Sequence, residues 1–352
     1  MFTKLIATAT ISTVCLMGCC DKTSSNETPK ANPPKPTAML SLWTDHAPAK
    51  DSLESFVRSV TDSNSKDFIP VENRIAVFDW DGTLFLETAP TYFDWQLFEY
   101  RVLDDSTYKP TKEQLEAARN GRENKVWPGL SASRERMVAE AYKGFTLAEF
   151  EAYVRSFMDK PQPGFTNLKR GEAHYKPMIE VIKFLSANDF TVFVSSGTDR
   201  LTMRPVVVDG LGLPPKQIIG SDGVIVASAQ NGADGLDYTL QDRDELVLAG
   251  QNIVKNLQMN KVSRIALEIG IQPVLAFGNS GTDASLLNYA IYKNKYRAMA
   301  FMLLCDDTER EYGNLKKAEK MRQASEKYGW IQVSMKNDWK TIYGENVQKS
   351  AE

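Results

Sequence analysis

The sequence predicts an α/β fold: a mostly parallel sheet covered by helices on both faces, with a helical insert in one connection. Three observations lead there. From Pro177 onward, short apolar runs alternate with helical patterns, the signature of parallel strands joined by crossover helices. Three apolar runs end in polar clusters, Asp79/Asp81, Ser195/Gly197 and Asn279/Asp283. Between the first two lies a stretch, roughly 91–170, with helical signals and no clear buried strand.

Taken in order, the fold begins near Leu40. From Ser52, the residues Leu53, Phe56, Val57 and Val60 fall on one helical face. Ile75 to Phe78 is an apolar strand running into Asp79-Trp80-Asp81-Gly82-Thr83. Side chains two apart on a strand share a side, so both acids can meet one reaction centre. Two like charges that close need a metal ion or a proton between them, and Gly82 lets the chain turn sharply beside a ligand. In the insert, Phe93 to Leu103 is aromatic-rich, Lys112 to Arg122 is polar and helix-prone, and Ser133 to Tyr142 is amphipathic. Thr146 with Glu149 has the spacing of a capping box. Met178, Val181, Ile182 and Leu185 mark the next helix. Strands are predicted at Phe190–Val194, Gln217–Ile219, Pro273–Phe277, Ala298–Leu304 and Trp330–Ser334. A hairpin is predicted over Val224–Leu240, with helices through Leu201, from Asp283, and over Thr308–Lys327.

The start of the chain reads differently. Leu5 to Met17 is apolar but too short to span a bilayer. It ends in Leu16-Met17-Gly18-Cys19, which resembles the box cut by the bacterial lipoprotein signal peptidase. Residues 1–18 are therefore expected to be a lipoprotein signal peptide and Cys19 the lipidated residue, stably held at a membrane by several acyl chains. Residues 19–39 are polar and proline-rich and are expected to be a disordered tether. The core is expected over 40–90 and 171–345, and the helical cap over 91–170.

Composition excludes several classes. The net charge of −3 shows no basic excess, and no nucleic-acid partner is expected. With Cys15 removed and Cys19 lipidated, only Cys20 and Cys305 remain, which gives no disulfide framework. His46 and His174 are too few for a His-rich zinc site. His174 is expected to be a satisfied loop or core histidine.

In open parallel sheets, ligands sit beyond the carboxyl ends of the strands, where the three polar clusters converge. Together they resemble the motifs of the haloacid dehalogenase superfamily, in its phosphoserine-phosphatase-like branch and in the exported bacterial lipoprotein form. Asp79-Trp80-Asp81-Gly82-Thr83 matches the first motif, Ser195 the second, Lys261 the third, and Gly278-Asn279-Ser280 through Asp283 the fourth. The resemblance runs from Leu42 to Tyr343 and implies a Rossmann-like core with an inserted helical cap. It implies Asp79 as nucleophile and Asp81 as general acid and base. It further implies Mg²⁺ on the Asp79 carboxylate, the Asp81 carbonyl oxygen and Asn279. Thr83, Ser195, Ser196, Gly197 and Lys261 would hold phosphate, Ser195 being preferred over Ser196 on register. Asp283 would orient a metal-bound water or Lys261. Many relatives carry an acid where this chain has Asn279, so weaker metal binding is expected. Glu87 is a candidate contact to the substrate. Tyr92, Phe93 and Trp95 are expected in a cap pocket or in the seam between cap and core.

The expected activity is Mg²⁺-dependent hydrolysis of small phosphate monoesters through an aspartyl-phosphate. The expected setting is the bacterial cell envelope, for phosphate scavenging, with the protein attached to the membrane through its lipid anchor. The alternatives are a narrow phosphoserine or phosphocholine phosphatase, or a catalytically silent binding lipoprotein of the same fold.

Overall fold

The structure is a computed structural model that describes residues 40–350. The expected signal peptide, Cys19, Cys20 and the tether lie outside the described residues. Helix α1 (Pro48–Thr61) starts at a proline, whose fixed φ suits a first helical turn. It buries Leu53, Phe56, Val57 and Val60, the predicted stripe. Strand β1 (Ile75–Phe78) follows, buried at all four positions, as a strand covered on both faces must be.

Residues 91–170 carry α2 (Phe93–Leu103), α3 (Lys112–Asn124), α4 (Ala132–Glu140) and α5 (Leu147–Met158), then the two-residue strand β2 (Phe165–Thr166). Capping boxes open α3 at Thr111/Gln114 and α5 at Thr146/Glu149. Each box satisfies backbone N–H groups that the first turn leaves unpaired.

The chain then alternates. It runs through α6 (Lys176–Ala187), β3 (Thr191–Asp199), α7 (Arg200–Leu211), β4 (Ile218–Ala227), β5 (Leu246–Val254), α8 (Met259–Glu268) and β6 (Leu275–Gly278). It closes with α9 (Ala284–Ile291), β7 (Met299–Leu304), α10 (Leu315–Tyr328), β8 (Ile331–Ser334), α11 (Met335–Asp338) and β9 (Gln348–Lys349). The main sheet has the order β5-β4-β3-β1-β6-β7-β8. Every pair is parallel except β4 with β5. This is the predicted α/β fold.

The strand order reverses at β1, which pairs β3 on one side and β6 on the other. Phe78 lies opposite Val194 and opposite Phe277, so Asp79 emerges between β3 and the end of β6. A stack of rings pins this register. Phe78 faces Phe277 at 4.2 Å, and Phe277 faces Phe301 at 4.7 Å, across three adjacent strands. One residue of slip would turn every ring to the opposite face.

Several elements differ from expectation. The hairpin arms are β4 and β5, and residues 228–245 form the loop between them. The predicted second arm fell in that loop because β5 is an edge strand with one buried residue, whose short apolar run, residues 246–249, gives way to Gly250, Gln251 and Asn252 and does not alternate. Strand β3 extends beyond Val194 through Ser195 and Gly197 to Asp199, which pairs Ser221 after an irregularity. Helix α10 begins at Leu315, where the Asn314 side chain accepts from Lys317 N, and not at Thr308. Cys305 is a buried free thiol. His174 is buried against the Phe85 ring, but its Nε2 has no hydrogen-bond partner among the described residues. Burial, with Lys176 adding to it, pushes its pKa down to about 3, so the imidazole is neutral.

Candidate active site

Strand β1 ends at Phe78, so strand alternation is not what aims Asp79 and Asp81 together. The turn after the strand does it. Asp79 N donates to Phe277 O at 2.9 Å, which extends the sheet by one bond, and the chain then folds back with Gly82 N donating to Phe85 O at 2.7 Å. Gly82 has φ +73°, a conformation that costs a residue with a Cβ but not glycine. Trp80, between the two acids, turns into the core and stacks on Phe85 at 4.5 Å. Asp79 and Asp81 are left on the wall of a cavity of about 240 Å³, shared with Glu87, Ser196, Gly197 and Asn279.

Below the cavity sits a buried ion cluster. Lys261 Nζ, on α8, donates to Asp79 Oδ1 and to Asp283 Oδ1, each at 2.6 Å. Lys261 and Asp283 are fully buried and Asp79 is 6% exposed. Asp283 Oδ2 accepts from the backbone N–H groups of Asn279 and Ser280, both at 3.1 Å, and thereby shapes the loop after β6. Burial would lower the Lys261 pKa, but Asp283 and Asp79 hold it above its ordinary value. Burial pushes the Asp79 carboxyl up to about 7, with Asp283 adding to the shift and Lys261 opposing it.

Asp81 sits in a different environment. Its Oδ2 accepts from Thr198 Oγ1 at 2.7 Å and from Ser196 Oγ at 3.2 Å, while its Oδ1 is buried with no partner among the described residues. Burial, then the charges of Asp94 and Asp79, hold its carboxyl well above the usual range, against the Thr198 bond. Two carboxyls separated in this way suit one as a charged group and the other as a proton donor.

The remaining residues named from sequence fall as follows. Thr83 is fully buried and donates to Asp79 Oδ2 at a long 3.4 Å. Ser195, preferred from register, is fully buried with its Oγ accepting from Asn256 Nδ2 at 3.1 Å, whereas Ser196 and Gly197 line the cavity. The physical reason is alternation along β3, which turns neighbours to opposite sides: Asn256 also donates to Ser196 O at 3.0 Å and holds Ser195 beneath the wall. Glu87 lines the cavity, but Lys317, Tyr92 and Asn279 already bind its carboxylate. Phe93 and Trp95 are buried in the core, while Tyr92 reaches the cavity. Sequence reasoning missed Thr198, Asn256 and Lys317. Thr198 could have been found, since it stands two residues beyond Ser196 on the same strand.

The donor set suits a hard cation, which takes oxygen ligands. Among the described residues no three of His, Cys, Asp and Glu group as a metal site. The expected set is of another make-up, namely one carboxylate, one carbonyl and one amide. Asn279 Nδ2 donates to Glu87 Oε2 at 2.7 Å, which leaves the amide oxygen on the other side, and Asp81, whose buried Oδ1 has no partner among the described residues, lines the same cavity.

A second cavity of about 80 Å³ shares Asp94 and Lys255 with the first. Val138, Tyr142, Phe150, Leu201 and Leu248 give it apolar walls. Arg134 stands at the rim of the first, its guanidinium over the Trp95 ring at 4.9 Å. Its Nε has no hydrogen-bond partner among the described residues.

The model of the haloacid dehalogenase-like hydrolase family matches residues 76–288. No curated protein matches the chain. Among solved structures, it is similar to a conserved functionally unknown protein from Anaerococcus prevotii DSM 20548. That one is 10% identical with a TM-score of 0.51, over 85% of this chain and 94% of that one, a likeness of fold. A protein of unknown function from Bordetella pertussis Tohama I is 14% identical with a TM-score of 0.46, over 74% and 98%. Cytosolic 5'-nucleotidase IIIB bound to cytidine is 14% identical with a TM-score of 0.47, over 82% and 86%.

Proposed function

Because the chain belongs to the haloacid dehalogenase-like hydrolases, we propose that it is a phosphatase that hydrolyses small phosphate monoesters through an aspartyl-phosphate. One observation carries this reading. Lys261 ties Asp79 to Asp283 beneath a cavity into which Asp79 and Asp81 both open.

The Asp79 carboxylate attacks phosphorus as the ester oxygen leaves. Asp81, whose carboxyl burial and the neighbouring charges hold well above the usual range, gives that oxygen its proton. Asp81 then takes a proton from water, whose oxygen attacks the same phosphorus and restores the Asp79 carboxylate as phosphate departs. Ser196 and the backbone near Gly197 hold phosphate oxygens, while Thr83 and Ser195, buried behind them, support that wall. Lys261 offsets the charge of Asp79 throughout. Mg²⁺, on the Asp79 carboxylate, the Asp81 carbonyl oxygen and Asn279, supplies neutralisation of the phosphate charge when bound. The opposite charges of Asp94 and Arg134, beside the apolar second cavity, favour leaving alcohols that are themselves charged. This is the specific support for a narrow substrate range.

A panel of small esters, assayed with Mg²⁺ and again with a chelator, tests the reading. Phosphate release that stops on chelation and returns with Mg²⁺ is expected. No release from any ester sinks it in favour of a silent binding protein, and the breadth of the profile separates a scavenger from a narrow enzyme.

We further place the protein in the bacterial cell envelope, anchored through Cys19. The support is Leu16-Met17-Gly18-Cys19 with the polar stretch behind it. Among the described residues no helix is long and apolar enough to cross a membrane. Cys19→Ala is expected to move the protein out of the membrane fraction. Equal membrane content in both forms contradicts the anchor.

A further inference from the structure

We propose that Glu87 and Lys317 are positioning residues that hold the Asn279 amide with its oxygen turned to the cavity, which lets an amide serve as a cation ligand. The inference rests on the phosphatase reading above and adds two residues to it.

An asparagine side chain has two ends of nearly equal shape, one accepting and one donating hydrogen bonds. Either end fits the same space, but only the oxygen attracts a cation. A carboxylate in that place has no such choice to make. This chain carries Asn279, so something must decide which end faces inward.

Glu87 decides it. Its carboxylate oxygens accept from Lys317 and Tyr92 as well, so the amide meets this cluster of acceptors with Nδ2, and the observed bond to Glu87 Oε2 is 2.7 Å. Lys317 holds Glu87 in place. Its Nζ donates to Glu87 Oε1 at 2.8 Å and to Oε2 at 2.7 Å, and Tyr92 Oη donates to Oε1 at 3.0 Å. The Glu87 charge is thus engaged by Lys317, and its carboxylate is pinned from three sides. Glu87 is 8% exposed and Asn279 3%, so bulk water does not compete freely for either group.

Space is arranged for the same bond. The Asn279–Glu87 contact passes directly over Gly82. A Cβ at that position would stand 1.7 Å from Asn279 Nδ2 and 2.4 Å from Glu87 Oε2. The bare backbone of the loop that presents Asp79 and Asp81 therefore closes over the bond that orients Asn279.

The test is Mg²⁺ binding to the full chain by titration calorimetry, without substrate. Glu87→Gln with Lys317→Met keeps the net charge and the shape, but the amide introduced in place of the carboxylate can present either of its ends to Asn279. That pair of changes is expected to weaken Mg²⁺ binding about tenfold or more. In an Asn279→Asp background the same pair is expected to matter by less than about threefold, because a carboxylate needs no orienting partner. Lys317→Arg, which keeps the ion pair, is expected to bind like the parent. Equal weakening in both backgrounds, no weakening in either, or failure of Lys317→Arg to rescue would overturn the inference. Absence of Mg²⁺ binding by the parent chain would instead overturn the phosphatase reading.

Discussion

Asp79→Asn is expected to abolish phosphate release, by about four orders of magnitude or more, while leaving the protein at least as stable as the parent. The amide keeps the shape of the carboxylate but cannot attack phosphorus, and removing a covalent nucleophile costs more than removing a binding contact. The stability half follows from charge. Lys261 lies between two buried carboxylates, Asp79 and Asp283, at 2.6 Å from each. Taking away Asp79 leaves one cation and one anion, a better balanced buried set, and Asp283 keeps its two backbone N–H bonds. Activity and thermal melting measured on the same sample check both halves. Residual turnover within tenfold of the parent removes Asp79 from its role. A large drop in melting temperature removes the charge argument.

Lys261→Met is expected to have the opposite profile, losing activity and stability together. It leaves Asp79 and Asp283 buried and facing one another without a cation. Breaking a buried pair in this way costs about 3–5 kcal/mol, against a total stability for a typical domain of about 5–15 kcal/mol. The denaturant midpoint should fall accordingly. Lys261→Met combined with Asp79→Asn should recover part of the loss, since one of the two stranded charges is gone. A single variant that unfolds at the parental midpoint, or a double variant no more stable than the single, contradicts the picture of a charge cluster beneath the cavity.

The strands that present the site were legible because each is an apolar run broken abruptly by polar residues. Ile75–Phe78 and Leu275–Gly278 combine hydrophobic periodicity and turn chemistry in one place. Edge strand β5 begins with the apolar run 246–249, but that run fades into Gly250, Gln251 and Asn252 and resumes at Ile253, and the strand was missed. Lys261 was found only by resemblance. On its own it is one lysine in an amphipathic segment, and nothing local distinguishes it from a solvated side chain. Lys317 is the harder case. Helix α10 also carries Lys316, Lys320 and Lys327, and which of them reaches Glu87, 230 positions away in the chain, is decided by how α10 packs on the sheet. Ser195 and Ser196 show the limit at finer scale. Both end the same apolar run, alternation turns them to opposite sides, and Asn256, from a distant loop, holds Ser195 beneath the cavity wall. Residues whose role depends on a tertiary partner leave no mark in local pattern.

The central claim is that phosphorus passes from ester to Asp79 before it reaches water. Mixing the parent enzyme with an ester carrying radioactive phosphate, and quenching in acid within the first turnover, tests it directly. The expected result is label bound to the protein, released by hydroxylamine as an acyl phosphate should be, and found on the peptide that holds Asp79. Full turnover with no label on the protein at any quench time, or label on another residue, would contradict it.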